Sequence, residues 1–130
     1  MMSPVESISL LPEIDAEFLQ EKGFENEIIQ VGGEVRVVLH DFSLPEQYTP
    51  RSANLMLRLP SGYPNANPDM FWTNPVVKLT TGSYPLNAEY LDPTADGWQR
   101  WSRHDQSWRG GVDNLRTKLA SVRRELQKGR

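Results

Sequence analysis

The clearest pattern in the chain is an apolar stripe near its C-terminal end. The stripe steps by three or four residues, as one face of a helix does, and consists of Val112, Leu115, Leu119, Val122 and Leu126. The positions between them are basic: Arg116, Lys118, Arg123, Arg124 and Lys128. This spacing predicts an amphipathic helix over residues 112–126, with the stripe on the core and the basic residues covering the rest of the helix.

Alternating apolar and polar residues predict strands upstream of this helix. Residues 27–31 and 35–40 flank Gly32-Gly33, and a Gly-Gly pair suits the tight turn of an antiparallel hairpin. Residues 53–59 alternate in the same way, and a fourth strand is expected at 70–72 or 76–79. Together these stretches predict an antiparallel meander of about four strands.

The remaining segments complete the expected order of elements. Residues 11–23 predict a short helix in which Ile14, Phe18 and Leu19 share a face. Eight of the ten prolines lie between Pro45 and Pro93, and residues 80–96 lack a periodic pattern. The predicted class is α+β: a short N-terminal helix, the meander, a long irregular segment and a closing helix packed on the sheet.

Length and composition predict a single domain at residues 11–130 behind a flexible tail at residues 1–10. The chain has no run of 18 apolar residues, and its N-terminus lacks the pattern of a signal peptide, so a cytoplasmic protein without a membrane partner is expected. With no cysteine among its 130 residues, it has no disulfide, no thiolate metal site and no thiol nucleophile. No metal or cofactor is expected.

Charge divides the chain into two parts. Residues 1–50 carry ten acidic and two basic side chains, whereas residues 51–130 carry seven acidic and twelve basic ones. The division is typical of a solvated surface pattern, or of an acidic face for one partner and a basic face for another. The net charge of −3 does not favour wholesale binding of nucleic acid.

The stretch Gly97–Gly111 concentrates the candidate chemistry. It holds three of the four tryptophans and one of the two histidines, interleaved with arginines, and it predicts a loop that tryptophans anchor to the core. The expected anchors are Trp98 or Trp101, and also Trp108. The candidate binding residues are Trp98, Arg100, Trp101, Arg103, Trp108 and Arg109. Stacking of single-stranded nucleic acid on this cluster is a third alternative to the two functions given below.

The order of elements and two motifs resemble the ubiquitin-conjugating enzyme (UBC) superfamily. Tyr63, Pro64 and Pro68 match the Tyr-Pro…Pro-Pro segment that follows the third strand of that fold, with Asn67 in place of one proline. Trp108-Arg109 resembles the Trp-Lys/Arg-Pro element before the next helix. The tryptophan string resembles still more closely a prokaryotic branch of the superfamily, its family E. The resemblance runs from about Leu11 to Leu126 and implies a UBC-like fold.

The resemblance also implies partners and exposes a departure. Members of this branch are found beside ubiquitin-like proteins, activating enzymes and isopeptidase-like genes, so these are the expected partners. The catalytic cysteine of the superfamily is expected close to Arg100, and this chain has none. The His-Pro-Asn element that supplies an oxyanion-stabilising asparagine is also missing. The fold is carried over by the resemblance, but the ordinary thioester chemistry is not.

Two functions stay open from the residues. In the first, the chain is a transferase that accepts or positions the activated C-terminus of a ubiquitin-like protein. It would do so through an oxyester on Ser102, with His104 as the base. Ser102 and His104 share a face only if the backbone between them is extended. Arg100, Arg103 and Arg109 would steady an oxyanion or a carboxylate. In the second, the chain is a non-catalytic variant that binds a ubiquitin-like protein.

Overall fold

The computed structural model of the protein describes residues 10–130. The tail predicted at residues 1–10 therefore lies outside the described residues, apart from Leu10. Within them, the two α-helices are α1 (Glu13–Lys22) and α2 (Leu115–Gln127). The strands are β1 (Asn26–Val31), β2 (Glu34–Ser43), β3 (Tyr48–Thr49), β4 (Ser52–Leu59), β5 (Phe71–Asn74), β6 (Lys78–Leu79), β7 (Tyr90–Asp92) and β8 (Trp98–Trp101). A 3₁₀ turn at Pro93–Ala95 joins β7 to β8.

Six strands form one sheet in the order β1-β2-β4-β5-β8-β7, and every neighbouring pair is antiparallel. The predicted hairpin is confirmed, because Val31 pairs with Glu34 across the Gly-Gly turn. The predicted α+β class and the four-strand meander are confirmed as well, with β5 as the fourth strand. Strands β3 and β6 form a separate two-stranded ladder.

The sheet is larger than the sequence predicted, since β8 and β7 extend it beyond the meander. Both strands come from stretches that were predicted to be irregular. They contain only four and three residues, with Pro93 and Gly97 between them, so they are too short to show an alternating pattern. Pairing with β5 on one side and β7 on the other makes β8 an interior strand.

Helix α2 packs its apolar stripe into the main core, together with side chains of β2 and β4. Leu115 and Leu119 are 1% and 4% exposed, which confirms their predicted burial. The helix begins at Leu115 because Asn114 and Thr117 form a reciprocal cap, each accepting the backbone N–H of the other. Val112 precedes this cap and is 60% exposed, so its predicted place in the core stripe is wrong.

Helix α1 contributes Phe18 and Leu19 to the same core, but Ile14 is exposed and its predicted place on the buried face is wrong. Asp15 takes a buried position one turn before Phe18 and Leu19. Its carboxylate accepts hydrogen bonds from the Tyr63 hydroxyl at 2.6 Å and from the backbone N–H of Leu115 at 3.0 Å. A polar residue faces the core here because it joins α1 to the first turn of α2.

The other face of the sheet is covered by the turn between β7 and β8, and it mixes apolar and charged groups. Val38, Met56, Trp72 and Ala95 form a small second core there. Arg58 binds Glu34 through two parallel hydrogen bonds of 2.7 and 2.8 Å, which lowers the pKa of the Glu34 carboxyl.

Candidate functional site

The tryptophan-rich stretch divides at Trp101 into a strand and a loop. Residues Trp98–Trp101 are β8, and residues 102–109, named here the 102–109 loop, run without regular structure alongside α2. The prediction of one continuous anchored loop is therefore wrong for its first four residues.

Trp101 is the anchor within β8. Its side chain is fully buried, its ring stacks on Phe71 with 5.1 Å between centroids, and its Nε1–H donates to Oγ1 of Thr73 at 2.8 Å. A fully buried indole with a satisfied N–H cannot contact a partner directly. The structure therefore corrects the candidate binding role of Trp101 to a role in the core.

Trp98 and Arg100 lie on the opposite face of the strand from Trp101. Trp98 is partly buried against the second core. The guanidinium of Arg100 lies 4.4 Å from the centroid of the exposed Tyr90 ring, and its Nε–H donates to Oγ of Ser102 at 3.0 Å. Arg100 therefore holds a partly exposed cation beside the hydroxyl of Ser102, the candidate nucleophile near the expected cysteine position.

Arg103 is buried and serves the end of helix α2. Its guanidinium donates to the carbonyl oxygens of Leu86 and Glu125 at 3.2 Å and also to that of Arg130. Basic groups satisfy the free carbonyls of a helix C-terminus in this way. The candidate binding role of Arg103 is therefore corrected to a structural one.

Ser102 and His104 are close in sequence, but they bond to different residues. The backbone N–H of Ser102 donates to the carbonyl of Asn87, and its hydroxyl accepts from Arg100. Nδ1 of His104 lies 2.5 Å from Oδ2 of Asp69, 35 residues away. The structure does not bring the predicted serine and its predicted base into a hydrogen bond.

Asp69, and not the adjacent Asp105, holds the imidazole of His104. Asp105 instead accepts from the hydroxyl and backbone N–H of Ser107, and these bonds lower the pKa of its carboxyl. With Nδ1–H donated to Asp69, the neutral imidazole of His104 carries its lone pair on Nε2, as a general base does. Only the tertiary fold identifies Asp69, because no local spacing links it to His104.

Trp108 and Arg109 close the 102–109 loop. Nε1–H of Trp108 donates to the carbonyl of Pro64 at 2.9 Å, and its ring lies 6.1 Å from that of Tyr63. Burial, and next the bond to Asp15, raise the pKa of the Tyr63 hydroxyl. Trp108 therefore ties the loop to the Tyr-Pro segment, whereas the side chain of Arg109 is 70% exposed and lies 3.5 Å from the carboxylate of Asp113.

Lys118 is the residue of this region that the sequence analysis placed wrongly. It was expected among the basic residues on the outer part of α2, yet it is only 4% exposed. It lies three residues after Leu115 and four before Val122, so helical spacing does place it on the buried side. Burial lowers the pKa of its ammonium to about 8, against the smaller opposing effect of Asp69 and Asp105.

A cavity of about 180 Å³ lies between the 102–109 loop and α2, and Lys118, His104, Asp105 and Ser121 are among its lining residues. Within residues 10–130, no cluster of three His, Asp or Glu side chains could hold a metal ion. In the same part of the chain, no helix is both long and apolar enough to cross a membrane.

Comparison with known proteins gives one match. Residues 11–129 match the family described as prokaryotic E2 family E. The match spans α1, the whole sheet, the 102–109 loop and α2. Searches of curated protein sequences and of solved structures give no significant match.

Proposed function

The chain belongs to prokaryotic E2 family E, and we propose that it serves a ubiquitin-like modification pathway by binding a ubiquitin-like protein and positioning the activated C-terminus of that partner. The observation that carries this proposal is the family match over residues 11–129 in a chain that contains no cysteine. An activating enzyme of the same pathway would then carry the activated C-terminus, and an isopeptidase would remove the modification.

The surface beside β8 has the composition of a protein-binding site. Tyr84, Leu86, Tyr90 and Leu91 are between 43% and 50% exposed, and they lie on the segment that ends in edge strand β7. Exposed apolar side chains at the edge of a sheet are suited to contact with a partner. Tyr90, paired with Arg100, and Leu91, paired with Gln99, face opposite sides of β7. Arg100 lies directly over Tyr90, so a guanidinium lies beside this aromatic ring and is suited to a partner carboxylate.

The geometry favours positioning over a serine oxyester. A serine hydroxyl is a weak nucleophile unless a base removes its proton. The hydroxyl of Ser102 accepts a hydrogen bond from Arg100, whereas the imidazole of His104 is held by Asp69. Neither contact takes the proton of Ser102. The oxyester therefore becomes the second outcome of the experiment below.

The binding experiment compares matched substitutions on the two edges of one sheet. The ubiquitin-like protein from the same genome is titrated by calorimetry into the chain and into Leu91→Asp and Ile29→Asp. Leu91 lies on edge strand β7 and Ile29 on the opposite edge strand β1, and they are 50% and 42% exposed. We expect roughly tenfold weaker binding for Leu91→Asp only. Equal affinity of both variants would place the interface elsewhere.

A second measurement separates positioning from an oxyester. The chain is incubated with the ubiquitin-like protein, its activating enzyme and ATP, and any adduct is treated with alkali. Positioning predicts that no alkali-labile adduct forms on Ser102. An adduct that alkali cleaves and that Ser102→Ala abolishes would replace our proposal with the serine mechanism. Absence of binding as well as of any adduct would reject both functions.

A further inference from the structure

Lys118 is a buried titratable group that the proposed function does not use. It stands on the core-facing side of α2 and is 4% exposed. Among residues 10–130, Asp69 and Asp105 act on its ammonium only through longer-range attraction, without a hydrogen bond. A buried ammonium is costly, and buried titratable groups of this kind occur more often in functional sites than elsewhere.

The surroundings of Lys118 are those of an activated amine. It lines the cavity below the 102–109 loop together with His104, whose Nδ1 is held by Asp69. In the neutral tautomer whose Nδ1–H donates to Asp69, the lone pair of the imidazole lies on Nε2, on the side of the ring away from Asp69. Desolvation favours the neutral amine, and a neutral lysine amine is a nucleophile where an ammonium is not.

We infer that Lys118 is an acyl acceptor, and that Nζ of Lys118 attacks the carbonyl carbon of a C-terminal glycine thioester presented at the cavity. The C–S bond breaks as the C–N bond of an amide forms. The proton lost by Nζ passes to Nε2 of His104 and then to the leaving thiolate, so a thiol is released. His104 acts as the base, and Asp69 is a positioning residue.

The product is an isopeptide bond to Lys118 of the chain itself. Unlike an oxyester, this bond is not a transferable intermediate. A reaction of the isopeptide-hydrolysing class is then needed to release the chain. The inference relies on the proposed function for the source of the thioester, but the reactivity of the amine does not depend on any partner. The two proposals therefore fail in different experiments.

The charged groups that face Lys118 make its reactivity tunable. Asp69 comes from the segment before β5, Arg103, His104 and Asp105 come from the end of β8 and the loop, and Arg124 and Glu125 come from α2. Asp69 and Asp105 favour the ammonium form, against the effect of burial. Asp105→Asn should therefore lower the pH at which the amine becomes reactive.

The test uses a small thioester, with the three other lysines of the chain as internal controls for Lys118. The folded chain is incubated at pH 6–10 with the mercaptoethanesulfonate thioester of N-acetyl-glycyl-glycine. Peptide mass spectrometry then gives the acylation rate of Lys22, Lys78, Lys118 and Lys128. At pH 7.5 we expect Lys118 to react roughly tenfold or more faster than the other three. Its rate should reach half of its maximum near pH 8.

Three variants sharpen this result. Lys118→Arg should abolish the fast adduct without changing the rates of the other lysines. His104→Gln should slow the fast adduct by roughly tenfold or more, as loss of a general base does. Asp105→Asn should move the half-maximal pH downward. An acylation rate of Lys118 below those of the exposed lysines, or acylation only after unfolding, would overturn the inference even if every variant misfolded.

Discussion

Strand β8 and the 102–109 loop share a composition rich in tryptophan and arginine but differ in packing. In β8, Gln99 and Trp101 are at most 1% exposed, and both side chains are fully hydrogen-bonded to the fold. In the loop, Gln106, Ser107 and Arg109 are exposed. The loop combines a local contact, that of Asp105 with Ser107, with side-chain bonds to distant segments, such as those of His104 with Asp69 and of Trp108 with Pro64.

The comparison shows that backbone pairing decides which of these residues are available for chemistry. Strand alternation buries every second side chain of β8, and its ladders with β5 and β7 hold that register. The loop has no ladder, so its side chains reach distant groups such as Asp69. Among the residues of these two regions, the candidate binding and reactive groups therefore lie in the loop and on the partly exposed face of β8.

The largest expected loss of stability follows replacement of the tryptophan in β8, and the loop tryptophan provides the comparison. Trp101→Ala should lower the free energy of unfolding by about 3–5 kcal/mol, because it opens a cavity beside Phe71 and removes the bond to Thr73. Trp108→Ala should cost about 1–2 kcal/mol, because Trp108 is only partly buried. Urea unfolding of both variants measures the contrast, and equal losses would contradict it.

A smaller loss of stability is expected for the buried glutamine of β8. Oε1 of Gln99 accepts from Thr73 and from the backbone N–H of Val77, and Nε2 donates to the carbonyls of Val77 and Ala88. Gln99→Leu leaves these buried groups unpaired and should cost about 2–4 kcal/mol. Gln106→Leu, the same change in the exposed loop, should stay within about 0.5 kcal/mol. Thermal unfolding of the two variants tests the difference, and a stable Gln99→Leu would show that its network is dispensable.

The smallest expected effect is a gain in stability when Lys118, which lies beneath the 102–109 loop, is replaced. Lys118→Met should raise the free energy of unfolding at pH 7 by about 1–3 kcal/mol, because it removes a buried charge and keeps the packing. The pKa of Lys118 is about 8 in the folded chain, below its ordinary value of 10.5. Unfolding therefore takes up a proton between these values, and the parent chain regains stability as the pH rises through that window.

The measurement for Lys118→Met is urea unfolding of both chains from pH 6 to pH 10.5. The difference in free energy between the two chains isolates Lys118 from other titrating groups. We expect the difference to be constant below pH 8 and to shrink above it. A difference that does not change with pH would mean that Lys118 is ionised throughout this range.

The sequence by itself determined the regular elements. The stripe through Leu115, Leu119, Val122 and Leu126 specifies α2, and the Gly32-Gly33 pair between two alternating runs specifies the hairpin of β1 and β2. These patterns can be recognised in the sequence because each element is long enough to repeat its own period. The family motifs around Tyr63 and Trp108 can also be recognised, because each is a short run of specific residues.

Only the tertiary structure decided the site. The sequence contains His104 and Asp69, but their pairing depends on the approach of two segments 35 residues apart. Strand β8 is too short to show a period and exists because β5 and β7 pair with it. Lys118 is charged and reads as a surface residue, yet the 102–109 loop covers it. Local periodicity reports which elements form, whereas burial, pairing and pKa depend on neighbours that the fold brings from elsewhere in the chain.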